Sequence, residues 1–184
     1  MSLFSIGMSG VIILLFIYSI AVFNKLVTYK NRVENAWGQI DTQLKRRFDL
    51  IPNLVETVKG ASNYEKATLE NITKARSNYL NASQPGEILK ADKQMSHALT
   101  NLFAVAENYP DLKANSGFIN LQKELSSLEE KIAYARQFYN DTVMKYNNSI
   151  LMFPNNIFAG LFGFAKIEYF GTDDSEQVAP KVKF

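Results

Sequence analysis

Residues 33–58 read VENAWGQIDTQLKRRFDLIPNLVETV. Their apolar members Val33, Trp37, Ile40, Leu44, Phe48, Ile51, Val55 and Val58 recur at steps of 4, 3, 4, 4, 3, 4 and 3. Side chains three and four apart share one face of an α-helix, whereas a half-buried strand alternates every second residue. The spacing therefore predicts an amphipathic helix from about Val27 to Val58. Pro52 lies inside it. Proline lacks an N–H and its ring crowds the carbonyl four residues earlier, so a kink is expected near Phe48.

The same period recurs three times toward the C-terminus. Gly60 to Asn63 reads as a turn, followed by a helix over about Tyr64–Leu80 with Leu69, Ile72, Ala75 and Tyr79 on one side. Ser83-Gln84-Pro85-Gly86 is a stop signal. A third helix covers about Glu87–Asn108, with Ile88, Asp92, Met95, Leu99, Leu102 and Ala106 in register and Asp92 the one polar break. Tyr109-Pro110-Asp111 ends it. A fourth covers about Phe118–Ile150, with Ser116 as its N-cap. No stretch alternates with period two, so the fold class is all-α. Amphipathic helices joined by short connections pack as antiparallel neighbours, which predicts an up-and-down four-helix bundle over residues 24–150.

On the N-terminal side, Leu3 to Phe23 carries no charge. Twenty-one residues at 1.5 Å each extend about 31 Å, close to the ~30 Å hydrocarbon thickness of a bilayer. The reading is a transmembrane anchor over residues 1–23. A cleaved signal peptide with a site at Ser19-Ile20-Ala21 competes with it, but no Lys or Arg precedes the apolar run, and the run is long for that purpose. Lys25, Lys30 and Arg32 follow the span, so the positive-inside rule places the N-terminus outside and the remainder in the cytoplasm. Ser5 and Ser9 form a small-xxx-small pair, a weak packing signal between anchors.

If the four helices run up and down, the fourth ends beside the start of the first, at the membrane. The chain there, Ile150 to Ala165, is uncharged and rich in phenylalanine. It is too short to span a bilayer as a helix. Two readings fit a flap over residues 151–170: contact with the membrane interface through Phe153, Phe158, Phe162 and Phe164, or a cover over the end of the helical core. Residues 171–184 read as a flexible polar tail.

Composition narrows the function classes. Twenty basic and 18 acidic residues leave a formal net charge of +2, which gives no electrostatic case for nucleic acid as a partner. With no cysteine, disulfides, thiolate chemistry and a lipid-modified cysteine are excluded. The single histidine, His97, has no second histidine with which to build the paired Glu-x-x-His metal site of helical bundles, and Gln94 stands three residues before it. Phosphate-binding glycine loops are absent. No catalytic, cofactor or metal site is expected. Lys45-Arg46-Arg47 is the densest basic run. It reads as a solvated face, with Arg47 able to pair with acidic residues of a neighbouring helix.

Several longer motifs resemble the LemA family. They are Asn35-Ala36-Trp37, Gln39-Ile40-Asp41, Gln43-Leu44-Lys45-Arg46-Arg47, Asp49 to Val55 and Thr57 to Gly60, with Leu102 to Ala114 further on. Leu121-Gln122, Glu124-Leu125, Tyr139-Asn140 and Phe153-Pro154 with Asn156-Ile157 complete the set. The resemblance covers about residues 24–165. Phe48 stands where the family often has Tyr, so this chain lacks that hydroxyl. The resemblance implies a bacterial, single-pass protein of the plasma (inner) membrane with a cytoplasmic helical bundle. It implies no established catalytic residues, and it links some members to membrane organelles or places them beside a membrane metalloprotease.

Two functions follow as expectations. One is a non-enzymatic scaffold that self-associates as a homo-oligomer and organises the lipid bilayer or partner membrane proteins. The other is an adaptor that binds another membrane protein through Pro52, Asn53, Asn63, Tyr109, Pro110 and Asp111, where loops and a helix kink gather.

Overall fold

The computed structural model describes residues 3–60 and 66–171. Asn63 with its neighbours in the first predicted turn, and the tail beyond Gly171, lie outside the described residues. All regular structure among those described is helical: α1 (Leu3–Lys59), α2 (Lys66–Asn81), α3 (Pro85–Ala106), α4 (Pro110–Lys113), α5 (Ser116–Leu151) and α6 (Asn155–Leu161). The chain forms two compact units. One is Gln39–Ala135; the other joins the residues up to Gly38 to those from Arg136 onward.

In the unit of residues 39–135, Ile40, Leu44, Phe48, Ile51, Leu54 and Val58 of α1 are buried together with Leu69, Ile72, Ala75 and Tyr79 of α2. Met95, Leu99 and Leu102 of α3 and Leu125, Leu128 and Ile132 of α5 complete the core. The inward face of α1 differs from the expected stripe near its end, where Leu54 is buried and Val55 half-buried. The helix continues through Pro52 to Lys59. Proline at 52 deprives the Phe48 carbonyl of its helical donor, and Arg76 of α2 supplies one instead, its Nε donating to that oxygen at 3.2 Å. The Phe48 ring stacks on Tyr79, with centroids 3.9 Å apart and planes 9° from parallel.

Two helix starts differ from the sequence reading. Pro85, part of the stop signal, is the first residue of α3, a position where its missing N–H costs nothing. The Glu87 carboxylate accepts from the Ser83 and Gln84 backbone N–H groups at 2.9 and 3.2 Å, and these bonds hold its pKa below the usual carboxylate value. At α5 the cap is Asn115 and not Ser116. Asn115 Oδ1 accepts the Phe118 N–H at 3.1 Å, leaving Ser116 as the first helical residue.

The polar break at Asp92 has a partner. Arg47 Nη1 donates to Asp92 Oδ1 at 2.9 Å, with the two side chains 1% and 0% exposed. Arg47 Nη2 reaches Glu129 Oε1 at 2.6 Å and Ser96 Oγ at 3.1 Å. One guanidinium thus ties α1, α3 and α5 together in a fixed register, the use to which planar, forked donors are suited.

Candidate functional site

The other unit is built around the apolar half of α1. From Met8 to Phe16 its large side chains point outward uncovered on every side, with Leu14 at 67% exposed. A helix that is apolar all round is stable only inside a protein core or a bilayer. Among the described residues, α1 is the one helix long and apolar enough to cross a membrane. Coverage begins near its charged end, where Val22 and Leu26 are buried. The ammonium of Lys25 and the guanidinium of Arg32 each lie 5.8 Å from the Tyr29 ring centre just beyond it.

What covers this stretch is the chain after α5. The Tyr18 hydroxyl donates to Asn155 Oδ1 at 2.9 Å, and the Tyr18 ring lies 5.6 Å from that of Phe158. Phe23 meets Phe162 at 5.1 Å and Phe164 at 5.8 Å in tilted, edge-directed contacts, the geometry that aromatic quadrupoles favour. Ala159 is buried. The opposite side of this element is open: Leu151, Met152, Phe153, Ile157 and Leu161 are exposed, Phe153 to 80% and Leu161 to 76%. Of the four phenylalanines singled out from the sequence, Phe158, Phe162 and Phe164 therefore contact α1, and Phe153 points outward.

Helix α6 closes with a glycine. The Phe164 N–H returns to the Ala159 carbonyl at 2.9 Å and the Gly163 N–H to Gly160 at 3.3 Å. Gly163 sits at φ 74°, the left-handed position of a Schellman cap. The chain then runs without regular structure along α5, and α5 side chains replace the missing strand partner. Asn147 exchanges two hydrogen bonds with the Ile167 backbone, donating to its carbonyl at 2.9 Å and accepting from its N–H at 3.0 Å. Asn140 does the same with Phe170, at 3.2 and 2.8 Å.

The register of this clamp is geometric. Seven residues of helix rise about 10.5 Å, and three residues of extended chain cover about 10 Å. Between the amides, the Tyr146 hydroxyl donates to the Ala165 carbonyl at 2.9 Å and the Tyr139 hydroxyl to Glu168 at 3.2 Å. Burial raises both phenol pKa values, with the Glu168 charge adding to the shift at Tyr139. Phe170 is buried against Trp37 and Tyr139, with Arg136 4.9 Å over its ring. The sequence reading missed this clamp. Its one visible signal is the pair Asn140 and Asn147, two turns apart on the helix face that also carries Tyr139 and Tyr146.

The remaining candidates lie in the unit of residues 39–135. Pro52 and Asn53 are exposed on the last turns of α1; Pro110 and Asp111 are exposed at the start of α4, and Tyr109 before them is half-buried. Phe118 of α5 packs on Phe103 of α3 at 6.0 Å, and a Cβ on Gly117 would stand 4.0 Å from the Thr57 methyl. The start of α5 thus sits by the ends of α1 and α3. His97 lies on the exposed side of α3 and lines an open cavity of about 320 Å³ with Asn71, Lys74, Gln94 and Asn101. That lining holds no carboxylate or hydroxyl to act with an imidazole.

The chain is 29% identical over 178 residues to Protein LemA of Metamycoplasma hominis, covering 90% of this chain and 80% of that protein. It is 25% identical over 174 residues to Magnetosome protein MamQ 2 of Paramagnetospirillum magneticum and 23% identical over 174 residues to Magnetosome protein MamQ of Magnetospirillum gryphiswaldense. The MamQ matches cover 80% of this chain and 64% of each relative, so the chain spans just under two thirds of those proteins. The LemA family itself is matched across residues 36–184, most of the sequence, and the chain belongs to the LemA family.

Proposed function

We propose that this protein is a non-enzymatic, membrane-anchored helical scaffold that self-associates and organises the bilayer or membrane proteins around it. The observation that carries the reading is the apolar surface of α1 from Met8 to Phe16, uncovered on all sides. Removing such a surface from water is favourable by about 25 cal/mol per Å², and a bilayer is the environment that matches its length. The anchor is single-pass in the plasma membrane. Lys25, Lys30 and Arg32 put the following helices on the cytoplasmic side and the N-terminus outside.

The cytoplasmic helices work as an antiparallel four-helix bundle. This is supported by the stacking of Phe48 on Tyr79, the Asn78–Gln94 hydrogen bond of 2.7 Å and the reach of Arg47 to Asp92 and Glu129. Relatives named as magnetosome proteins, in a family whose resemblance links members to membrane organelles, support a role at a membrane. The experiment is the mass of the full-length chain in particles cut from native membranes with an amphipathic polymer. Particles holding several copies support the scaffold. Uniform single-copy particles overturn self-association.

A further inference from the structure

We propose that α6 and the three residues before it, Met152 to Pro154, are a second membrane-contacting element, seated in the headgroup–acyl boundary of the leaflet from which α1 emerges. The inference rests on the anchor reading of α1 and goes beyond it, because it concerns a segment too short to cross a bilayer.

Depth is fixed by contacts within one compact unit. The first charge after the apolar run of α1 is Lys25. Tyr18 lies seven residues before it, about 10 Å deeper along the helix axis. Asn155 and Phe158 touch α1 at the level of Tyr18, and Phe162 and Phe164 at the level of Phe23. Wherever residues 3–23 lie in lipid, α6 is therefore carried below the plane of Lys25. The face of this element turned away from α1 presents Met152, Phe153, Ile157 and Leu161, all exposed. No charged residue occurs between Lys145 and Lys166, so no charge opposes entry. The contacts from Tyr18 to Phe23 spread this element over about 7.5 Å of depth, within the 5–10 Å that apolar faces reach into the headgroup–acyl boundary.

The occupant is lipid, because the open face continues the lipid-length surface of α1 at the same depth. The Asn140 and Asn147 clamps hold the returning chain, and with it the end of α6, to α5. The element is thus fixed to α1 on one side and to α5 on the other, within one compact unit.

Because the chain has no cysteine, single-cysteine spin labelling reads each position directly. Phe153→Cys, Ile157→Cys and Leu161→Cys are reconstituted as full-length chains in phosphatidylcholine vesicles, with Ile13→Cys and Asn31→Cys as references. Collision with oxygen is compared with collision with a water-soluble nickel chelate. The proposal expects oxygen to dominate at 153, 157 and 161, as at 13, with the order reversed at 31. Positions 153, 157 and 161 behaving like 31 while 13 remains in lipid overturns the proposal and leaves the anchor standing. Exclusion of both reagents at those positions means that protein covers them, a second copy or a partner, and also overturns it. Position 13 accessible to the chelate overturns the anchor itself, and the proposal with it. Phe153→Trp in a Trp37→Phe chain is an independent check: lipids brominated high on the acyl chain should quench its emission, and absence of quenching overturns the proposal.

Discussion

Replacing Asn147 by Ala tests the account of how the C-terminal element is held. The side chain makes two hydrogen bonds to the Ile167 backbone, at 2.9 and 3.0 Å. A net contribution of about 0.5–1.5 kcal/mol for each gives about 1–3 kcal/mol for the pair. The loss falls on local opening of residues 164–171, since the helical cores do not depend on this amide. Taking ~2 kcal/mol and ~1.4 kcal/mol per tenfold, amide exchange across the segment should accelerate roughly 30-fold. Hydrogen–deuterium exchange by mass spectrometry, on peptides covering residues 164–171 of the full-length chain in nanodiscs, measures it. Asn140→Ala should act similarly through Phe170. Asn148→Ala, at an exposed neighbouring position, should leave exchange unchanged. Protection of residues 164–171 within twofold of the parent in Asn147→Ala would refute the clamp, because the backbone of Ile167 would then be held by something else.

Three further outcomes follow from the structure. Arg47→Met alone leaves Asp92 buried without its guanidinium and should cost about 3–5 kcal/mol in denaturant unfolding, whereas Arg47→Met with Asp92→Leu should recover much of it. Gly163→Ala forces a Cβ onto φ 74° and should cost about 1–2 kcal/mol of local stability, seen as faster exchange at Phe164. Tyr79 has its pKa raised well above 10.0, first by burial and then by Asp41; the folded state then holds a proton that the unfolded state releases. Its contribution is complete below pH 10 and falls as pH rises above 10, so thermal stability should drop there, and less steeply in Tyr79→Phe.

Much of the fold was legible because helical burial leaves a 3–4 step in the sequence. The stripe through Ile40, Leu44, Phe48, Ile51 and Val58 marks residues that are buried in the structure. Leu54 was missed because 54 and 55 both border the stripe, and packing alone decides which turns inward. Pro52 was legible as a break in the hydrogen-bond ladder. That Arg76 fills the gap was not, because its donor comes from another helix 28 residues along the chain. Asp92 stood out as a polar residue in an apolar register, and an acidic partner for Arg47 was expected without naming which. The C-terminal element was the least legible part. Asn140 and Asn147 look like ordinary polar positions on a helix, and their meaning depends on an irregular segment whose backbone has no periodicity to read. The aromatic residues of that element were visible, but which of them face α1 and which face outward depends on the turn ending α5.

The central claim is that residues 3–23 remain attached and reside in lipid. Alkaline carbonate extraction of membranes from cells making the full-length chain, followed by the intact mass of the chain in each fraction, tests it most directly. The account predicts that the chain stays in the membrane pellet at the mass of the uncleaved sequence. A soluble chain, or a mass corresponding to cleavage near Ala21, would contradict it.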